Sequence, residues 1–417
     1  MVPTKSSAVH NFRAPQFTIW RRFVSCLTWK SAARNVCSGA AGGMVTVERL
    51  NGDRAAVRRF VDLPFKLYRE CPQWVPPVKS DVRVMLDPAR HPFYEDSEAD
   101  FFLARRDGCD VGRIAVLENK PFNAHHQSQE ANFYLFECED DPRTRDALLE
   151  TAFGWTRTKG LTSLVGPKGL SPFDPYGILI EGFDRRQVMS MSAYHPAYYA
   201  RLLETAGFEK AMDFASFSLS KKTFRMSERV KRVAERAQRR CRLKVQQFRS
   251  LREMLKWVEP LAEAYNASFA KNWEYYPLSR SQIRFAVRNL LPILDRRHIK
   301  LITCDDRVVG FLLAFPDVST ALQRMAGRLS PLALLRVWRE KGATRWLTFN
   351  GAGLLPEFHG CGGNALLYVE TEKSIQKTQF EHGQMLQIAE SAVQMIKDLR
   401  ELGAQPYQTH RVYRHEG

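Results

Sequence analysis

Gly351-Ala-Gly-Leu-Leu-Pro-Glu-Phe-His-Gly-Cys-Gly-Gly-Asn-Ala-Leu-Leu367 is the segment whose reading decides the fold. It continues a strand pattern that begins at Trp346 and runs into a helical pattern over 363–378. A helix N-terminus offers unpaired amide donors and the positive end of a dipole. Gly360, Gly362 and Gly363 would let the backbone approach a phosphate closely. The candidate anion-binding group therefore runs from Leu354 and Leu355 through His359, Gly360 and Cys361 to Gly362, Gly363 and Asn364.

Working outward, the elements around this turn occur twice. Val45-Thr-Val-Glu-Arg-Leu50 and Leu243-Lys-Val-Gln-Gln-Phe248 alternate like strands. Helical patterns follow, Arg54 to Tyr68 and Leu251 to Phe269, then Trp74 with Pro76-Pro77 and Trp273 with Pro277. Hairpin signatures come next, around Asp107-Gly108 and around Asp305-Asp306. Each half then has a strand, a helix and a short strand. These are 132–137, 141–158 and 163–166 in the first half, and 346–353, 363–378 and 385–388 in the second. Both close with an amphipathic helix stopped by Gly207 or Gly403, and a final strand, 213–219 or 407–413. The pattern reads as α+β, with two domains at 44–220 and 243–417.

Composition sets bounds on this reading. The chain has 417 residues, 44% hydrophobic and 26% charged, which excludes a disordered or collagen-like protein. It holds no run of about 18 apolar residues. Eight cysteines without a CxxC pair argue against a zinc ribbon or disulfide scaffold and fit a reducing cytoplasm. No spacing of His, Cys, Asp and Glu suggests a metal.

The net charge is +17. Residues 1–43 carry six Lys/Arg and no acid, so they read as a disordered or spurious leader, with an organellar transit peptide as the other reading. Met44 opens the patterned chain. Lys221 to Lys244 holds eleven Lys/Arg against two Glu and reads as a basic linker helix over 221–242. Its few aromatics argue against nucleic acid. The insert Ala321–Lys341 is apolar on one side and carries Arg324, Arg328, Arg336 and Arg339. It fits either a packed helical pair or a contact with an anionic membrane.

This element order, with the turn at 351–367, resembles the GNAT (GCN5-related N-acetyltransferase) fold. Residues 44–417 resemble bacterial tandem-GNAT proteins at Asp62-Leu-Pro-Phe-Lys-Leu-Tyr68, Trp74-Val-Pro-Pro77, His91-Pro-Phe-Tyr94, Gly182-Phe-Asp184, Phe315-Pro-Asp317, Leu355-Pro-Glu-Phe358 and Thr409-His-Arg-Val-Tyr413. They are similar also to bacterial ceramide synthases. The resemblance implies two mixed, mainly antiparallel sheets flanked by helices. It implies an acyl-CoA-dependent N-acyltransferase acting on a primary amine, with a long-chain, sphingoid-type amine as one candidate. Acetyl-CoA or a longer acyl-CoA would be bound at 354–364 through its diphosphate. His359 stands where the family pattern has Gln or Arg, and Asn364 where it has Gly or Ala. The alternative is a non-catalytic acyl-CoA or lipid-binding protein. The implied setting is the cytoplasm, with contact at the inner membrane.

Amide formation needs a neutral amine, an oxyanion donor and an exit for the thiolate. In the family the thioester lies where two parallel strands part, here near 352–355 and 387–389. Glu390 is the general-base candidate, its other reading being a helix N-terminal carboxylate. Tyr413 is the candidate acid for the thiolate, its other reading being a packed sheet aromatic. Trp273, Tyr275 and Tyr276 are the candidate acceptor pocket. In the first half, Glu139-Asp-Asp141 stands where the phosphate turn would be, so no coenzyme is expected there.

Overall fold

The structure, a computed structural model, describes residues 43–273 and 275–417. All but one residue of the expected leader thus falls outside the described residues. The first half contains β1 (Val45–Arg49), α1 (Arg54–Leu67), α2 (Lys79–Met85), β2 (Glu98–Arg106), β3 (Cys109–Glu118), α3 (Lys120–His126), β4 (Glu130–Cys138), α4 (Pro142–Thr158), β5 (Ser163–Gly166), β6 (Ile178–Glu181), α5 (Tyr198–Glu204) and β7 (Glu209–Ser220). The second contains α6 (Glu228–Arg240), β8 (Lys244–Val245), α7 (Leu251–Leu255), α8 (Val258–Phe269), α9 (Arg280–Leu290), β9 (Ile299–Cys304), β10 (Arg307–Pro316), α10 (Ser319–Met325), α11 (Pro331–Ala343), β11 (Trp346–Leu354), α12 (Gly363–Gln376), β12 (His382–Ala389), α13 (Val393–Glu401) and β13 (Gln405–Glu416).

Local chemistry explains much of this list. The β2–β3 and β9–β10 hairpins both turn on two residues with positive φ, Asp107 (50°) with Gly108 (79°) and Asp305 (45°) with Asp306 (64°). That turn matches the natural twist of a two-residue hairpin. Asp53 caps α1 by accepting from the Ala55 and Ala56 amides, and Ser279 with Gln282 forms a capping box on α9. The single helix expected over 251–269 is two. Pro260 cannot sit inside a helix without clashing one turn back, so α8 restarts at Val258 and places it in the first turn.

The strands form one sheet in the order β1-β2-β3-β4-β5-β13-β7-β12-β11-β10-β9-β8, with β6 beside β13. Among the described strands only β4–β5 and β11–β12 pair in parallel, one pair in each half. The closing strands are exchanged. β7, the last strand of the first half, bonds β12 of the second, while β13, the last of the second, bonds β5 of the first. The two exchanged strands pair with each other from Gln405 with Ser218 to Arg414 with Glu209. The expectation that each half closes on its own last strand is therefore corrected.

The seam is dry. His410 on β13 is buried, its Nε2 is 2.9 Å from the Ala193 carbonyl, and burial pushes it down to about 4. His195 is pushed down to about 3 by burial and by His410. α6, expected as a linker, lies along α12 with Ala234 and Ala237 buried. Among the described residues no helix is long and apolar enough to cross a membrane.

Candidate functional site

β11 and β12 pair for four residues, from Trp346 with His382 to Phe349 with Met385. Beyond that they part. β11 stays bonded to β10 as far as Leu354, and β12 follows β7 as far as Ala389. A bulge between Met385 and Ile388, with Gln387 at φ 50°, bends β12 away. The Gln387 amide donates to Ser216 Oγ (3.1 Å) and its side chain to the Tyr176 carbonyl (2.9 Å), which holds the bend.

The parted strands present facing edges with no strand partner. Such backbone groups gain free energy when an extended amide chain pairs with them. A cavity of about 970 Å³ fills the wedge, near the top of the range of about 300–1,000 Å³ usual for small-molecule sites. Its walls are Asn350–Leu354 and Leu386–Ala389. The first half contributes Phe173, Tyr176, Phe214 and Leu219, so both halves line the site.

The turn into α12 borders this cavity. Gly362 is the N-cap, at φ 83°, and no side chain caps the helix. The amides of Gly360, Gly362, Gly363, Asn364 and Ala365 donate to no described residue. Leu354, His359 and Asn364 line the cavity. His359 Nε2 is 3.0 Å from the Leu354 carbonyl, which pins the turn to the strand end. Leu355, Gly360, Cys361, Gly362 and Gly363 do not line it, and Leu355 is buried in the core of the second half. The glycines have separate duties. A Cβ on Gly362 would meet Val233 of α6 at 2.8 Å, and one on Gly363 would meet Leu354 at 2.6 Å. Only Gly360, also at positive φ, faces open space. Cys361 sits beside Cys241, whose Sγ lies 3.8 Å from its carbonyl.

The two catalytic candidates do not reach the cavity. Ala389 and Ser391 line it, but the Glu390 side chain takes Lys210 (2.7 Å) and the Asp213 amide (3.2 Å) outside it. Tyr413 is carried by the strand exchange into the core of the first half, where its hydroxyl donates to Glu204 (2.9 Å). Of the acceptor candidates, Trp273 and Tyr275 line the cavity, and Tyr276 packs instead with Phe122 and Leu278.

Sequence reasoning missed Tyr368 on α12. It lines the cavity, its hydroxyl lies 3.5 Å from Met395 Sδ, and burial pushes the phenol well up. It also missed Asn350 and Tyr176, which no local pattern marks.

The matching turn of the first half is closed. Asp141 caps α4 through the Arg143 amide (3.2 Å) and pairs with Arg106 (2.7 Å), which also pairs with Glu139. The Tyr198 and Tyr199 hydroxyls donate to the Cys138 carbonyl at 2.7 and 3.0 Å. Among the described residues no group of three or more His, Cys, Asp or Glu could hold a metal.

Comparison with solved structures bears on this geometry. The glucosamine N-acetyltransferase region, GCN5-related, of a fungal multi-domain β-N-acetylglucosaminidase superposes with a TM-score of 0.53 at 12% identity. It covers 91% of this chain and 39% of that one. The fold is the GNAT fold, present twice. No family model matches this chain. Among curated proteins it is 28% identical to the bacterial ceramide synthase of Caulobacter vibrioides over 294 residues, 69% of this chain and 74% of that one. It is 24% identical to Protein YghO of Escherichia coli over 364 residues, 86% and 92% of the two chains.

Proposed function

We propose that this tandem GNAT chain is an acyl-CoA-dependent N-acyltransferase. Residues 243–417 would carry the coenzyme and residues 44–220 would wall the site. One observation carries the reading: an uncapped, positively polarised helix start opens onto a wedge between two parted strands. The free amides of the turn suit a diphosphate, and the strand edges suit the amide-bearing arm that leads from it. The thioester would then lie near Ala352 and Ile388, with edge amides facing its oxyanion. A neutral amine attacks the carbonyl carbon, the C–S bond breaks, and the amine proton leaves through solvent or a bound water. Tyr368, kept protonated by burial, would hydrogen-bond the departing thiolate.

The acceptor we propose is a long-chain amine. Phe214, Trp273, Tyr275 and Phe269 give the cavity an aromatic, apolar wall. The ceramide synthase relative supports the same class, since a ceramide is the amide of a fatty acid and a long-chain amino alcohol. A cytoplasmic protein resting on the inner membrane would meet both. The test has two stages. Coenzyme A at millimolar concentration should raise the melting temperature. Acyl-CoA with a sphingoid amine should then release thiol. No shift with coenzyme A or acyl-CoA removes the coenzyme site, and a shift without thiol release on any amine leaves a binding protein.

A further inference from the structure

α11 and the residue before its cap are inside out. Leu329, Leu332, Leu334, Leu335 and Trp338 are between 48% and 70% exposed. They are five of the eight large apolar side chains exposed among the described residues. A helix on a protein surface normally turns its apolar stripe inward and its charges outward. Here the inner stripe, Ala333 and Val337, is small and already buried in the second core, and the larger apolar groups point away.

The segment is firmly held in that pose. Ser330 caps α11 through the Ala333 amide (3.1 Å), and Pro331 fits its first turn. Lys341 donates to the Leu294 carbonyl (2.5 Å). The preceding turn is tied to the first half, where Gln323 donates to the Pro72 and Trp74 carbonyls and the Lys79 amide donates to the Gly327 carbonyl, each at 2.9 Å. The apolar face is thus a fixed feature of the fold.

Charge selects the occupant. No Asp or Glu occurs between Asp317 and Glu340, while Arg324, Arg328, Arg336 and Arg339 are all exposed. No described carboxylate pairs with any of them. An apolar ridge with a tryptophan, rimmed by unpaired arginines, has the composition of a helix lying in the headgroup layer of an anionic bilayer.

We infer that α11 docks this protein on an anionic lipid surface, with Leu332, Leu335 and Trp338 entering the acyl boundary and Arg336 and Arg339 meeting the headgroups. No residue of α11 lines the cavity, so the inference does not depend on the acyl-transfer reading. The test is co-flotation of the full chain with vesicles of phosphatidylcholine, alone or mixed with phosphatidylglycerol. The protein should float with the anionic vesicles only, and salt should weaken it. Leu332→Glu/Leu335→Glu/Trp338→Glu should lower the affinity about a hundred-fold or more. Each of Arg336→Gln and Arg339→Gln should lower it about five-fold.

The triple variant should keep the wild-type melting curve and any shift with coenzyme A, because the altered side chains are exposed and remote from the cavity. No flotation, or flotation that neither variant set changes, overturns the inference. So does a dimer in gel filtration that the triple variant turns into a monomer, which would make a second copy the occupant. Flotation lost in the variants with no coenzyme A shift in any form would keep this surface and remove the acyltransferase reading.

Discussion

The turn from β4 into α4 and the turn from β11 into α12 hold equivalent places in the two halves, at the end of the strand that makes each parallel pair. The first is finished with carboxylates, in Asp141 on the helix amides and Arg106 between Asp141 and Glu139, and Tyr198 and Tyr199 close on Cys138. The second has no side-chain cap, five amides without a described acceptor and a cavity beside it. One architecture thus serves two ends. Where side chains satisfy the helix start, the turn stabilises the fold. Where they are withheld, the start is left for a ligand.

Moving the closure of the first turn into the second should have the largest effect. Asn364→Glu places an anion among the free amides. It should weaken coenzyme A about a hundred-fold in calorimetry while leaving the melting temperature unchanged or higher, since an acid suits that helix position. Gly362 is the wrong place for this test, because any side chain there meets Val233. A variant that loses stability along with affinity would break the comparison.

Acid tests whether the two turns belong to one folding unit. His195 and His410 are held neutral, at about 3 and about 4, against about 6.5 when unfolded. The stability they contribute is full above that unfolded value and is lost as pH falls towards 4. Each should cost about 2 kcal/mol between pH 7 and 4.5, and the loss should come in one cooperative transition. Two separate transitions would show that the shared sheet does not couple the halves.

In the first turn, Asp141→Ala should cost about 1–2 kcal/mol in denaturant unfolding, through the lost cap and the loss of one of the two carboxylates that pair with Arg106. It should create no coenzyme site, because the tyrosines still fill the place. Tyr368→Phe sharpens the other side: turnover should fall about ten-fold with coenzyme A affinity unchanged. Glu390→Gln should matter least. It breaks a half-exposed pair with Lys210, worth about 0–1 kcal/mol, and activity should stay at wild type.

That last expectation marks where sequence stopped being informative. The element order, the hairpins and the glycine turn are local, carried by turn residues and periodicity, and these are legible one segment at a time. The acid run after β4 could likewise be read, because an acid at a helix start acts on the next few amides. Strand partners are not local. β7 and β13 alternate in the same manner, and nothing within either says which sheet it joins. The exchange takes Tyr413 into the first half and sets Asp213 and Lys210 of β7 beside Glu390. Phe214, on the same exchanged strand, reaches the cavity for that reason and could not have been named in advance.

The most direct measurement is a calorimetric comparison of coenzyme A with pantetheine, which lacks the diphosphate, on the wild-type chain and on Asn364→Glu. The account predicts that the wild type binds coenzyme A at least about a hundred-fold more tightly than pantetheine, and that the variant loses most of that difference. Equal binding of the two by the wild type, or a difference that Asn364→Glu leaves intact, would contradict it.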